Sequence, residues 1–500
     1  MEIPVIKVRQ WLEAWNSVDF SAEEYRRKPQ PEFYIFSISA KKLKRLSAVY
    51  RRSLEDRASG VTDLGIQRQH DPRRSAEIKN FVHWGFPWSE MSEEQRSMDE
   101  FRNLQKPGWL PTSIVVNILG VGDERHGKRV DVRDVITLSS DGSKLCMPDN
   151  VNDEWEAHGL PPIEVIDGQH RLWAFENADD DFELPVVAFM GLDISWQAYL
   201  FWSINIKPKK INPSLAFDLY PLLRAQDWLE GFAGPVVYRE ARAQEIVELL
   251  WATKESPWYH RINMLGERGL RAQVTQAAWI RSLLCTYIKP WRNPEATLGG
   301  FYGVLPDGKT VLPWPRMQQA MFIMFLGLRL KKGIQECPDV NWVRALTDGE
   351  LQGVGCPAFE SQYSLLNTDQ GVRGVLDVTN AILCAAYSTL KDEYFAISED
   401  SVPDSVELSS FVSQLTTVAP RMCGMIDSFS NVVAQYDWRT YEAPFGNDSA
   451  SVAVKKIRAG FRGSGGYKLI RDDLLDFISS NVEDGILKTA VGTVIQSYRR

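Results

Sequence analysis

The chain has 500 residues, 44% of them apolar, and a formal net charge of −8. That length supports two to four domains, at roughly one per 150 residues, and the acidic balance excludes a globally basic nucleic-acid coat, so any contact with DNA falls to a local patch. Cys146, Cys285, Cys337, Cys356, Cys384 and Cys423 form no C-x-x-C pair and no zinc-spaced cluster with histidine. With no leader pattern in "MEIPVIKVRQWLEAW", the chain reads as a reduced, cytoplasmic protein. The longest apolar run, "AMFIMFLGL" at 320–328, is too short to span a bilayer and suits a buried helix. The 17 tryptophans read as core packing.

The first segment, residues 1–57, predicts a strand at "EFYIFSISA" and a basic helix at "KKLKRLSAVYRRSLEDR", where seven cations face only Glu55 and Asp56. A solvated face is the plain reading of that helix, and contact with nucleic-acid phosphate the sharper one. Residues 58–215 predict alternating strands and helices, hence an α/β domain. "DPRRSAEIKNFVHWG" opens on Asp-Pro and then shows helical spacing at Ile78, Phe81 and Val82. "LPTSIVVNILG" is a β-branched run between Pro and Gly, so a strand. The polar stretch 121–160 predicts a long loop or hairpin insert. A strand at 163–166, a helix at 169–177, a strand at "LPVVAFMG" and a helix from Ser195 follow. From residue 216 to 500 the pattern is mainly helical, in runs such as "REARAQEIVELLWATK", "RMQQAMFIMFLGLRLKKG" and "GVLDVTNAILCAAYSTLKDEY". Near the end, "KKIRAGFRGSGGYKLIRDDLL" is basic and glycine-rich, with a helix predicted after its glycines.

"VIDGQHRLWAFE" at 165–176 carries the chemistry. A strand runs into an Asp-Gly turn. Asp167 is a suitable cap for the first helical turn, and Gly168 allows a sharp bend and a close ligand approach. Gln169, His170 and Arg171 then fall at a helix start, which favours anions. Arg171 can grip a phosphate with two N–H groups, and His170 can donate another. The ligand these groups suit is a phosphate chain, most simply a nucleotide. The stretch is not a Walker A loop, which needs Gly-x-x-x-x-Gly-Lys-Ser/Thr.

"DGQHR" is also the signature of the DGQHR-domain proteins, which this chain resembles. That group includes DndB and DpdB, accessory proteins of bacterial DNA-modification systems, and its core is similar to the ParB/sulfiredoxin fold. Gly168, Arg171 and Ala174 reproduce the G-x-x-R-x-x-A spacing of the ParB nucleotide box. Gln169 stands where sulfiredoxin has its catalytic Cys, which argues against sulfinic-acid reduction. Downstream, Asn205 and Asn212-Pro213 fall at ParB spacing, with Ile204 in place of the Glu that helps hold Mg²⁺ there and Pro208 in place of the next Arg. Upstream, "GIQRQHDPRRSAEIKNFV" resembles the family's first helix. The resemblance covers residues 60–215. It implies an α+β protein in which a ParB/sulfiredoxin-like domain precedes a large, mainly helical C-terminal region. It also implies nucleotide binding by Gln67, Arg68, Asp167, Gly168, Gln169, His170, Arg171 and Asn205, with Asp167, His170 and Arg171 catalytic and Asn205 at a metal.

On this resemblance the expected function is NTP hydrolysis, with ATP or another NTP and Mg²⁺, in an accessory protein of 7-deazaguanine insertion into DNA, as in DpdB. Its partners would be DNA and a transglycosylase-like base-exchange enzyme, with no membrane, and homo-oligomer formation is left open. The alternative is a DNA-binding regulator of a phosphorothioation system, as in DndB, with the 41–57 and 455–471 segments on phosphates. A small-molecule kinase on the same fold is a third reading. It would need an acidic base, for which Glu164 and Glu176 are nearest, each more simply a solvated surface acid.

Overall fold

A computed structural model describes the chain except for residues 24–26, 50–70, 99–101, 103–104, 126, 150, 153, 176–181, 206–212, 219–235, 268–272, 294–295, 297, 306–310, 313, 338–339, 348–354, 395–407, 447, 484 and 500. The chain divides into two compact units, Met1–Lys210 and Ile211–Arg500. Each has its own hydrophobic core. The protein is mixed α+β with a helical C-terminal region.

In the first unit the elements are β1 (Glu2–Pro4), β2 (Ile6–Arg9), β3 (Glu32–Ser39), α1 (Ala40–Leu46), β4 (Ser47–Ala48), α2 (Pro72–Trp84), α3 (Glu93–Arg96), β5 (Ile114–Ile118), β6 (Glu124–Arg125), β7 (Lys128–Arg129), β8 (Thr137–Leu138), β9 (Lys144–Cys146), β10 (Ile163–Asp167), α4 (Gln169–Trp173), β11 (Glu183–Met190) and α5 (Ile194–Asn205). A six-stranded sheet has the order β2-β3-β11-β5-β10-β4. It is mixed: β11 runs parallel to β5, and β10 parallel to β4, while β2–β3, β3–β11 and β5–β10 are antiparallel. The described residues before 50 therefore do not form a separate segment, because β2, β3 and β4 are strands of the same sheet. The polar insert is built of hairpins, β6–β7 and β8–β9, the second of which adds β1 at its edge.

The strands form where the sequence alternates or is β-branched. In β5, Ile114, Val116 and Ile118 are buried, and across the ladder Ile163 and Val165 of β10 are buried opposite Ile118 and Val116. Helix α2 starts where Asp-Pro predicts. The Asp71 side chain accepts from the Arg73 backbone N–H, and Pro72 occupies the first turn, where its missing N–H costs nothing. The 41–57 stretch departs from its prediction. The helix stops at Leu46 and the chain turns into β4; residues 50–57 lie outside the described residues.

The sheet contains a polar core. Glu164 pairs across the ladder with Asn117, and both are buried. The Glu164 carboxylate accepts from Arg125 Nε (2.7 Å) and Nη2 (3.1 Å), from Asn117 Nδ2 (3.1 Å) and from Gln197 Nε2 (2.8 Å). Asn117 Oδ1 accepts from the Leu192 N–H at 2.9 Å, and the Leu192 carbonyl accepts from Gln197 at 3.1 Å. Glu164 is 4% exposed, so the expectation of a solvated surface acid is corrected. The residue tolerates burial because four N–H groups, two of them from the Arg125 guanidinium, replace its water.

The second unit is built of helices, among them α6 (Pro213–Asp218), α7 (Val236–Ala252), α8 (Gln276–Cys285), α9 (Arg316–Gln335), α10 (Asn341–Thr347), α11 (Pro357–Glu360), α12 (Asp369–Leu390), α13 (Leu408–Val418), α14 (Pro420–Ala434), α15 (Ser449–Ala459), α16 (Gly463–Asn481) and α17 (Ile486–Arg499). The apolar run 320–328 lies in α9, where Phe322, Met324 and Phe325 are buried. Helix α16 starts at Gly463 itself, in the left-handed region at φ +66°, so the glycines lie within its first turn and not before it as expected. Among the described residues no helix is long and apolar enough to cross a membrane.

Removal of the buried acid tests the network. Glu164→Ala removes the buried acceptor shared by Asn117, Gln197 and the Arg125 guanidinium, and is expected to cost about 3 kcal/mol or more of stability. Chemical denaturation followed by far-UV circular dichroism measures it, and a loss under 1 kcal/mol would show that the network carries little of the fold.

Candidate functional site

The site is built where β10 ends. The β10–β5 register shifts between Val165 and Asp167. A bulge of this kind turns the following side chain out of the regular alternation, and Asp167 is half-buried where the four residues before it are buried. The chain then turns at Gly168, whose φ of +95° is left-handed. Only glycine adopts that conformation without strain. A Cβ there would also lie 2.7 Å from Ile114 Cδ1 and 3.1 Å from Arg171 Nη2.

The turn brings the guanidinium back onto the acid. Arg171 Nη2 donates to Asp167 Oδ2 at 2.8 Å, and Nη1 donates to the Thr112 carbonyl at 2.6 Å. Asn205, the last residue of α5, donates from Nδ2 to Asp167 Oδ1 at 3.2 Å. Three residues expected at the site from sequence, Asp167, Arg171 and Asn205, therefore meet. Two expectations about them change. Gly168, not Asp167, caps the helix, and it supplies no side-chain hydrogen bond to it. The Asp167 carboxylate cannot cap because it is held by Arg171 and Asn205. The helix is also shorter than predicted, Gln169–Trp173 instead of 169–177, so its dipole is that of little more than one turn.

Gln169 and His170 are each 6% exposed. They are part of the packing under the turn, and the Ser75 hydroxyl of α2 donates to the His170 carbonyl at 3.2 Å. A phosphate reaching the turn from solvent would meet Arg171 before it met either of them. Gln67, Arg68 and Glu176 lie outside the described residues, as do Pro208, Asn212 and the lysines at 207, 209 and 210.

Burial lowers the pKa of Arg171, Asp167 opposes that shift, and the charge of Arg74 adds to it. Arg74 is exposed on the first turn of α2. Among the described residues Asp167 and Arg74 are the charges that act on Arg171. Sequence reasoning used "DPRR" to start a helix and missed Arg74 as a neighbour of the site. The signal was present, since Asp-Pro sets the helix start and so fixes which cations lie in its first turn. Of the five N–H donors of Arg171, two have partners among the described residues.

Mg²⁺ takes oxygen donors in near-octahedral geometry, through one or two carboxylates and substrate phosphates. Here both Asp167 oxygens already accept, and Asn205 faces them with its amide nitrogen. Among the described residues no three His, Cys, Asp or Glu side chains gather as metal ligands. This donor set does not fit Mg²⁺.

Some cations of the two basic segments have partners within the fold. Lys44 of α1 lies over the Trp173 ring at 5.7 Å, and the Lys42 ammonium meets Met1 Sδ. In the 455–471 stretch Arg458 is buried and pairs with Asp473 at 2.9 Å, while Arg471 pairs with Asp472 at 2.7 Å. Part of the cationic charge read there as a phosphate contact is spent within the fold.

Comparison with protein-family models, with curated proteins and with solved structures finds no match to this chain.

The turn makes its own prediction. Gly168→Ala places an L-residue in the left-handed region, at roughly 1–2 kcal/mol, and adds the contact with Ile114. A denaturant midpoint lowered by at least about 1 kcal/mol of stability is expected, and an unchanged midpoint would show that the turn relaxes without its glycine.

Proposed function

We propose that the 167–171 turn holds the phosphate chain of a nucleoside triphosphate. On that reading the protein is an NTP-hydrolysing accessory protein of a bacterial DNA-modification system, of the 7-deazaguanine-inserting, DpdB-like kind. The observation that carries the reading is the charge imbalance at the turn. Among the described residues three of the Arg171 N–H donors have no partner, Arg74 acts on it as a second positive charge, and Asp167, the acid that acts on it, is already shared between Arg171 and Asn205. An anion entering there neutralises a surplus, and a charge-assisted pair with a guanidinium is the strong form of such a contact.

Each residue then has a part. Asp167 positions Arg171 by fixing one edge of its guanidinium, and the Thr112 carbonyl fixes another. Arg171 and Arg74 stabilise the charge that spreads over the transferring phosphoryl group, which is where most catalysis of this reaction comes from. Asn205 holds the far oxygen of Asp167 and so keeps the acid from rotating away. Gln169 and His170 support the turn from beneath. The DNA partner and the base-exchange enzyme belong to the same proposal and rest on the DGQHR resemblance. The regulator reading draws on the two basic segments, and the ion pairs of Arg458 and Arg471 weigh against it.

Binding and turnover of ATP, GTP and CTP, with and without Mg²⁺ and duplex DNA, test the proposal. Arg171→Ala is expected to weaken nucleotide binding at least about 10-fold, the loss of one charge-assisted hydrogen bond of roughly 1.5–3 kcal/mol. Arg74→Ala should weaken it less, and Arg171→Lys should restore part of it. Normal binding by Arg171→Ala removes the turn as the site. No nucleotide binding together with salt-sensitive duplex binding favours the regulator.

A further inference from the structure

Trp109 is the most open tryptophan among the described residues, with 77% of its surface exposed, and it stands on a clamped backbone. Before it, the Phe86 N–H donates to the Lys106 carbonyl at 2.9 Å and the Lys106 N–H donates to the Phe86 carbonyl at 2.7 Å. The Gln105 side-chain amide donates to the Trp84 carbonyl at 2.7 Å. Gly108 lies so close to α2 that a Cβ there would overlap the Phe81 carbonyl and stand 2.8 Å from Val82 Cα. The Trp109 N–H itself donates to the Pro107 carbonyl at 3.0 Å. After it, Leu110 packs against the core of the first unit. The loop is therefore held on both sides of Trp109. Gly108 is buried and Leu110 half-buried, and the indole between them is left in water.

Two independent paths place this residue a short step from the 167–171 turn. Along the chain, Trp109 precedes Thr112 by three residues, and the Thr112 carbonyl accepts from Arg171 Nη1 at 2.6 Å. Three Cα steps span at most about 11 Å. Along α2, the Ser75 hydroxyl donates to the His170 carbonyl at 3.2 Å, and Val82 lies against Gly108. These two contacts are seven residues apart, about 10 Å of helix. One span thus carries a guanidinium held by two partners at one end and an open aromatic face at the other. A nucleoside triphosphate asks for that separation, because a ribose stands between its phosphates and its base.

We infer that Trp109 is the base platform of this site: the base of a nucleoside triphosphate stacks on the open indole face while its phosphates lie at Arg171. The inference rests on the foregoing reading of the turn as a phosphate site. Every base has a π-face, so stacking adds affinity without choosing one base by hydrogen bonds. The platform therefore separates a nucleotide from bare polyphosphate, and does not separate one nucleotide sharply from another. Its backbone is fixed before the ligand arrives, which lowers the ordering cost of the contact.

Isothermal titration calorimetry of the full chain with ATP, GTP and inorganic tripolyphosphate tests this. The wild-type protein should bind both nucleotides more tightly than tripolyphosphate. Trp109→Ala should bind ATP and GTP at least about fivefold more weakly, the low end of base–aromatic stacking. Its tripolyphosphate affinity and its thermal melt should match the wild type. Trp109→Phe keeps an aromatic face and should recover most of the lost affinity. Arg171→Ala should weaken all three ligands, which separates the turn from the platform. ATP binding at wild-type strength by Trp109→Ala, with Arg171→Ala impaired, overturns the inference and leaves the turn standing. An equal loss of ATP and tripolyphosphate in Trp109→Ala also overturns it, because the loop would then act on the phosphates through Thr112. Failure of the wild-type chain to bind any of the three removes the reading of the turn, and the inference with it.

Discussion

A buried carboxylate organises the first unit. Glu164 sits in the strand that leads into the turn, and its four accepted hydrogen bonds come from three other places in the chain: Asn117 of β5, Arg125 of the β6–β7 hairpin and Gln197 of α5. A charge this deep is stable only while every partner stays in place. The network therefore acts as a joint that sets where α5 lies against the sheet. The candidate site depends on that placement. The C-terminal residue of α5, Asn205, completes the Asp167–Arg171 pair, and Trp196, Tyr199, Leu200 and Ser203 of the same helix line an aromatic groove.

The turn and the groove share one helix. At the turn, a left-handed glycine folds an arginine back on the acid four residues earlier, which holds the guanidinium half-buried between Asp167 and the Thr112 carbonyl. At the groove, Trp196 and Tyr199 of α5 form the lining together with Trp11, Trp15 and Phe20. From the third position of α5 to its end the distance is short, since the nine steps of helix from Trp196 to Asn205 rise about 14 Å. A displacement of α5 would therefore reach both.

Much of this was readable before the fold was known. Period-2 and β-branched runs placed β3, β5, β10 and β11, Asp-Pro placed the start of α2, and helical spacing placed α7, α9 and α12. The polar cluster at 167–171 stood out because four polar side chains follow one another between apolar runs. Three expectations failed for identifiable reasons. Glu164 was taken for a surface acid because its partners, Asn117, Arg125 and Gln197, lie 33 to 47 positions away, and no local pattern announces a network of that range. Asp167 was taken for a cap because Asp-Gly before a helix looks like one, whereas its carboxylate faces Arg171. The N-terminal residues looked like a separate segment because strand order in a sheet is not written along the chain.

What the sequence determined by itself was the kind of element at each place and the residues dense enough in chemistry to form a site, because backbone preference and hydrophobic period are local properties. What only the tertiary structure decided was which of those residues meet. It brought Asp167, Arg171 and Asn205 together, sent Gln169 and His170 inward, and aligned tryptophans from residues 11 to 202 in a strip. Read singly in the sequence, each of these tryptophans suits core packing. Exposure and proximity are properties of the packed chain, and they arise only once a sheet of mixed direction has brought distant segments to the same edge.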